Sequence, residues 1–279
     1  MAIRLVILDI EGVLVPPGGS EHPWDLEDLL RIRSFFRKSP CAAILCSGRQ
    51  EPYGEAMVQA LNLFERLPED VFGNVWRSHA PDLISWPSVF ENGAVFYDPM
   101  AKRPFPHPAL TPAVREGLAQ LRREGIEPLL KETGAQLEVG KEYCLSINPP
   151  LSDSTGRRAT TASFRPRVDL AVAPYLDLLE VNHSASAIDI TPRGVDKASA
   201  VSLLLDWTGL KPDEVLGVAD SPSDAGWLRL LGWNAAPANG RKNLPGLRCY
   251  AAAETTRGLI EILNCLSAAD FEGLPSRAR

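Results

Sequence analysis

Positive charge is in deficit in this chain. Its 279 residues carry 29 Lys and Arg against 35 Asp and Glu, a formal net charge of −6. That balance argues against a general nucleic-acid binder, which needs basic surface to displace counterions. Long apolar runs are missing as well, and none approaches the roughly 18–20 residues of a membrane span. The start of the chain lacks a charged segment followed by an apolar core and a small-residue cleavage site. The expectation is a cytoplasmic protein, a monomer or small homo-oligomer, whose partner is neither nucleic acid nor membrane. Cysteine is sparse, five residues in all. No CxxC pair or Cys/His cluster suggests zinc, and Cys46 and Cys144, inside apolar runs, read as buried thiols. The four histidines (His22, His79, His107 and His183) show no metal-ligand spacing. A dinucleotide site is excluded too, because "DIEGVLVPPGG" has no G-x-G-x-x-G after its strand.

What is present is ordinary for a globular protein, 45% hydrophobic and 23% charged residues, in a length that suits two domains. Strand-like and helix-like runs alternate. Ile3–Leu8 and Cys41–Cys46 read as strands, and Trp24–Lys38 and Glu51–Arg66 as helices. Val89–Tyr97 reads as strand, turn and strand around Asn92-Gly93. This rhythm predicts an α/β fold, a parallel sheet covered by helices. The middle differs. Thr111–Glu124 carries the marks of a helix, with Thr111 as N-cap, Pro112 in the first turn and Gly125 past the end. Short alternating segments lie around it at Gln136–Val139, Tyr143–Ile147, Leu179–Val181 and Ala187–Ile190. Leu151–Arg167, rich in Ser, Thr, Arg and Pro, reads as a surface loop. Residues 99–187 are therefore expected to form an inserted α+β domain within a core of 1–98 and 188–279. The βα rhythm resumes with a helix at Asp196–Trp207 closed by Gly209, a strand at Val215–Ala219 and a helix at Pro222–Leu231. A strand at Asn234–Ala236 and a last helix at Arg257–Leu266 follow, with a frayed tail from Ser267.

Three strands stop at polar residues: Leu5–Leu8 at Asp9, Ala42–Cys46 at Ser47-Gly48-Arg49, and Val215–Ala219 at Asp220-Ser221. Ligands of open α/β sheets bind outside the carboxyl ends of strands. If these strands are parallel neighbours, their ends bring carboxylates for a hard cation and a hydroxyl for an anion to one crevice. Each piece alone has a plainer reading. Asp9 could begin a turn, and Ser47–Gln50 and Ser221–Asp224 fit capping boxes. Lys197 adds a separate signal. It follows the N-cap Asp196 and so sits in the first helical turn, where a cation opposes the dipole by roughly 0.3–1 kcal/mol. It either leans on Asp196 in solvent or reaches into the crevice toward Asp9.

With these residues in view, the chain resembles the haloacid dehalogenase (HAD) superfamily of phosphohydrolases. Asp9-Ile10-Glu11-Gly12 matches the first motif, D-x-D-G-x, apart from one substitution. Ser47 in "LCSGR" matches the second motif, Lys197 in "GVDKASAV" the third, and "GVADSPSD" the acidic fourth, with Ala219 in place of its glycine. The insertion corresponds to a C2-type cap on a Rossmann-like core. "FENGAVFYDP" and "ITPRGVDKASAV" resemble the branch of Cof-type sugar phosphatases, sucrose-phosphatase and mannosyl-3-phosphoglycerate phosphatase. The resemblance implies a Mg²⁺-dependent phosphomonoesterase acting on a small phosphorylated metabolite, a sugar or glycerate derivative. Asp9 would be the nucleophile and Glu11 the acid/base. Mg²⁺ would be held by Asp9, the Glu11 carbonyl and Asp220, with Asp224 orienting Lys197 or a metal-bound water. Ser47, Gly48 and Lys197 would grip the phosphate, and Arg49 and Asn92 would face the cap.

The first departure is Glu11, where the motif has Asp. Its reference pKa lies only ~0.4 unit higher, but its stem is one methylene longer, and a displacement of about 1 Å can cost 10²-fold in rate. Enolase-phosphatase members of the superfamily also read D-I-E-G here. The second and third departures are Ala219 and Ser223, where the fourth motif often has Gly and Asn. Two other readings stay open: phosphoryl transfer of the phosphomannomutase kind, and a binding protein with weakened catalysis. For the cap, Arg165, Arg167 and His183 are candidates to touch substrate, or else a solvated basic stretch and a surface histidine.

Overall fold

The computed structural model describes residues 2–17, 22–71, 82–152, 156, 158–183 and 187–274. A five-stranded parallel sheet runs through the core in the order β12-β11-β10-β1-β2. Its strands are β1 (Leu5–Leu8), β2 (Ala42–Leu45), β10 (Val215–Val218), β11 (Trp233–Ala236) and β12 (Cys249–Tyr250). Alternate residues of β1 enter different clusters: Val6 and Leu8 pack on one face, Leu5 and Ile7 on the other. Burial on both faces is why these strands read as unbroken apolar runs.

Helices α1 (Leu26–Phe36), α2 (Glu51–Leu61) and α8 (Thr255–Ala268) cover the first face. The second is covered by α6 (Lys197–Thr208) and the short α7 (Ala225–Leu228). A hairpin extends the sheet past β2. Cys46 bridges to Val89 in β3 (Ser88–Phe90), which pairs antiparallel with β4 (Val95–Asp98), and β4 pairs with β5 (Arg103–Pro106).

A second, antiparallel sheet has the order β6-β7-β9-β8, from Gln136–Leu137, Leu145–Asn148, Ile188–Pro192 and Leu179–His183. Helices α3 (Pro112–Leu121), α4 (Glu127–Thr133) and α5 (Thr161–Val172) accompany it around a separate apolar cluster centred on Leu121, Ile147, Val168 and Ile190. The two ends of the expected insertion fall inside sheets. β5 at its start continues the core hairpin, and β9 at its end lies between β7 and β8. No helix among the described residues is long and apolar enough to cross a membrane.

Several local expectations need correction. The helix begun at Thr111 does not stop at Gly125. It passes through a π-type turn over Arg122–Ile126, with Glu127 N–H donating to the Arg122 carbonyl, and continues to Thr133, where Gly134 ends it at φ +73°. Gly125 serves close packing: a Cβ there would lie 3.0 Å from Leu121 Cδ1 and 3.5 Å from Ala171 Cβ of α5. The expected loop Leu151–Arg167 contains the start of α5. Thr160 and Ser163 form a reciprocal capping box, and Phe164, Val168 and Val172 bury one helical stripe despite Pro166. The segment expected as a helix over Pro222–Leu231 is a 3₁₀ turn at Pro222–Asp224 followed by the single turn of α7. The tail is docked at least to Leu274, which is buried, and Ile3 N–H donates to the Phe271 carbonyl. Its last five residues, 275–279, lie outside the described residues.

Candidate active site

The sheet order makes β10, β1 and β2 neighbours, and their registers place Val218, Leu8 and Leu45 side by side. The three polar strand ends therefore emerge at one rim. Asp9 N–H still donates to the Val218 carbonyl at 3.0 Å, so its backbone is tied to the sheet at this rim. The plain capping readings fail here. Gln50, not Ser47, is the N-cap of α2, and Ser221 makes no side-chain cap bond. Ser47 is buried and accepts from Arg49 N–H at 3.4 Å, and the Ser221 hydroxyl lies 3.0 Å from that of Ser223.

Asp196 does cap α6, in a capping box with Ser199. That start sends Lys197 inward rather than toward solvent. Its Nζ lies 2.6 Å from Asp224 Oδ1 and 3.2 Å from Asp9 Oδ1, all three groups being buried. Trp227 Nε1 donates to the same Asp224 oxygen at 2.8 Å, while Asp224 Oδ2 is buried without a partner. Asp9, Asp220 and Asp224 each offer an oxygen within 4.8 Å of the others.

Such crowding shows in the titration of these groups. Burial, and then the charge of Asp224, push Asp9 up to about 8 against the pull of Lys197. Burial and Asp224 likewise raise Asp220 to about 6, against a hydrogen bond from Asn239. Burial opposes the Lys197 charge, but Asp224 and Asp9 outweigh it and raise its pKa. One ammonium among three close carboxylates leaves an excess of negative charge in a desolvated place. A hard divalent cation with oxygen ligands supplies what is missing, and the orphaned Asp224 oxygen and the three-carboxylate cluster fit that donor chemistry.

Asp220 is held from behind. Asn239 Nδ2 donates to Asp220 Oδ2 at 2.9 Å and to the Gly12 carbonyl at 3.0 Å, and Asn243 Nδ2 donates to the Asp220 carbonyl at 3.1 Å. Sequence reasoning missed Asn239, although its place in an Asn-Gly turn after β11 marked a chain reversal at this rim.

Glu11 is partly exposed and paired with Arg49, whose Nη2 donates to Glu11 Oε1. Burial opposes the Arg49 charge, yet the bond to Glu11 prevails and raises its pKa. The guanidinium also lies over the Tyr53 ring, 5.4 Å from its centroid. Asn92 stands in the left-handed region at φ 57°, close enough to Gly48 that a Cβ there would lie 2.6 Å from its Oδ1.

The rim of the parallel sheet and the antiparallel sheet border a cavity of about 510 Å³. Asp9, Glu11, Ser47, Arg49, Lys197 and Asp220 line it from the core, together with Gly48 and Asn92. From the antiparallel sheet and the turn between β6 and β7 come Asp189, Glu138 and Lys141. Lys141 is buried, 2.8 Å from Glu138 and 3.6 Å from Asp189, and bonded to Ser146. Asp189 lies on β9 and Glu138 and Lys141 in the turn after β6, with no motif, so nothing in the sequence singled them out. The expected candidates Arg165 and Arg167 are elsewhere, on α5: Arg165 pairs with Asp169 and donates to the Val181 carbonyl, and Arg167 pairs with Glu132. Among the described residues neither lines the cavity. His183 lies on β8, and its side chain is outside the described residues.

Glu91 ties the Lys141 segment to the rim of the parallel sheet. Fully buried at φ 52°, it accepts the backbone N–H groups of Glu142 (3.1 Å) and Tyr143 (2.8 Å) from the segment that carries Lys141. Its own N–H donates to the Arg49 carbonyl at 2.9 Å.

No family model matches the chain. A phosphoglycolate phosphatase from Methanospirillum hungatei is 29% identical over 89 residues, 32% of this chain and 37% of that protein. The chain thus spans about a third of the length of the curated relatives it matches. Solved structures agree over nearly the whole chain. A Thermoplasma acidophilum protein has a TM-score of 0.65 at 18% identity, covering 97% of this chain and 100% of its own. A HAD/Cof-like hydrolase from Plasmodium vivax has a TM-score of 0.60 at 16% identity, covering 94% of each. The sucrose-phosphatase of Synechocystis, solved with sucrose and phosphate, has 0.59 at 14% identity, covering 98% of this chain and 99% of its own.

Proposed function

We propose, for a chain with the fold of the HAD-like hydrolases, that it is a cytoplasmic phosphomonoesterase that uses Mg²⁺ and acts on a small phosphorylated metabolite, a sugar or glycerate phosphate. The observation that carries this reading is the buried Asp9 at the end of β1, 3.2 Å from Lys197 and within one ion's reach of Asp220 and Asp224. The relatives named as phosphatases support the same class of reaction.

Asp9, Asp220 and the Glu11 carbonyl would hold the Mg²⁺, with Asp224 behind them. The cation would supply positive charge that keeps Asp9 ionised and offsets charge on the transferring group. In the first step a carboxylate oxygen of Asp9 attacks phosphorus. The Asp9–phosphorus bond forms as the ester P–O bond breaks, and the leaving alkoxide takes a proton from Glu11. In the second step water gives its proton to Glu11 while its oxygen bonds to phosphorus and the bond to Asp9 breaks. Ser47 and the N–H of Gly48 bind phosphoryl oxygens, Lys197 balances their charge, and the cap residues around Lys141 meet the leaving group.

The test is a phosphate-release screen over sugar, glycerol and glycolate phosphates. Wild type is expected to release inorganic phosphate, to lose turnover in EDTA and to regain it with Mg²⁺. The Asp9→Asn variant is expected to lose at least about 10³-fold in rate while keeping its fold by circular dichroism. Near-wild-type rates in that variant, or indifference to chelation, would overturn the reading.

A further inference from the structure

Position 11 presents a geometric problem that the structure answers locally. A glutamate carries its carboxyl group one C–C bond, about 1.5 Å, further from the backbone than the aspartate of the motif, with one more torsion to leave undetermined. Free, that group would sample many positions, and proton transfer tolerates little misplacement. Glu11 is not free. Arg49 donates through Nη2 to Oε1, so one oxygen is engaged and the carboxyl group is tethered at that side.

Arg49 is itself held on several sides. Its N–H reaches the Ser47 hydroxyl, its carbonyl accepts from Glu91 N–H, and its guanidinium rests on the Tyr53 ring, which packs edge-on against Trp24 with centroids 6.0 Å apart. A planar guanidinium stacked on a ring loses little further freedom when it bonds a carboxyl group. Glu11 and Arg49 both line the cavity.

We infer that Arg49 is a positioning residue for Glu11: it takes up the extra methylene and aims the second oxygen, Oε2, at the leaving-group side of the cavity. This rests on the phosphatase reading above. In the first step the proton on Oε2 passes to the ester oxygen as the P–O bond breaks, and Oε1 stays bonded to Arg49.

A structural or phosphate-binding role and a positioning role differ in leaving-group dependence. An alkoxide needs the proton, whereas p-nitrophenolate leaves without it. The value of kcat/KM should be compared for p-nitrophenyl phosphate and for the best alkyl ester among glycerol 2-phosphate and the hexose 6-phosphates. The loss caused by Arg49→Met is expected to be at least about tenfold larger for the alkyl ester, within the span that acid–base catalysis contributes. This ratio does not depend on how much of the variant folds. In a Glu11→Asp background, whose shorter carboxyl group falls away from Arg49, the leaving-group-specific part of the loss is expected to shrink below about threefold. Equal losses for both esters, the same loss in both backgrounds, or wild-type turnover of p-nitrophenyl phosphate with no alkyl ester cleaved would each overturn the inference and leave the phosphatase reading standing. Wild type inert toward every ester would instead sink that reading.

Discussion

Gly12 and Asp220 occupy one space. A Cβ on Gly12 would lie 2.1 Å from Asp220 Oδ2, and the Gly12 carbonyl and that same carboxylate oxygen share the Asn239 amide as donor. The glycine that follows the first acidic pair therefore sets where the acid of a strand more than 200 positions later can stand. Its φ of +75° makes glycine the fitting residue twice over.

From this contact follows the first prediction. Gly12→Ala displaces the Asp220 carboxylate and places a side chain in left-handed backbone, at a cost of about 1–2 kcal/mol for the backbone alone. Mg²⁺ affinity by calorimetry should fall at least tenfold, about 1.4 kcal/mol. Unchanged affinity would remove Asp220 from the cation site.

The second concerns Lys197, whose buried ammonium balances the buried carboxylates of Asp9 and Asp224. Lys197→Met leaves buried carboxylates uncompensated and should cost about 3–5 kcal/mol in urea unfolding. Adding Asp224→Asn removes one of the stranded charges, so the double variant should recover a large part of that loss. Additive losses would mean that the pair is not coupled in the folded protein.

The third is a pH dependence away from the site. His107 is buried, its Nδ1 accepts from Ala109 N–H at 3.1 Å, and its Nε2 has no partner. Burial lowers its pKa to about 4, with Asp196 opposing. Between its ordinary value of about 6.5 and that folded value, the unfolded chain binds a proton that the folded chain refuses. Stability from this group is thus present at neutral pH and lost as pH falls. Relative to His107→Phe, wild type should lose about 2–3 kcal/mol between pH 7 and pH 4.5. A constant difference between the two proteins would show that His107 protonates freely in the fold.

Most of the core was legible because its signals are local. β1, β2 and β10 are apolar runs buried on both faces; β1 ends directly before Asp9, and β2 and β10 end one apolar residue before Ser47 and Asp220. Asp196 and Gly209 bound α6 by capping chemistry that acts within one turn. The middle of the chain was harder to read. Proline and arginine masked α5, whose buried stripe of Phe164, Val168 and Val172 exists only against the sheet it covers. Gly125 looked like a helix end because a glycine required by close helix packing and one required by a left-handed cap carry the same letter.

The sequence alone determined the parts that depend on neighbours along the chain: alternating strands and helices, polar strand ends, and a lysine forced into the first turn of a helix. Tertiary structure decided what those parts meet. Sheet order put Asp9 beside Asp220, a buried Glu91 brought the Lys141 segment over the rim, and Arg49 closed on Glu11. Contacts between residues far apart in the chain depend on register and close packing, and neither is written in the local pattern of apolar and polar residues.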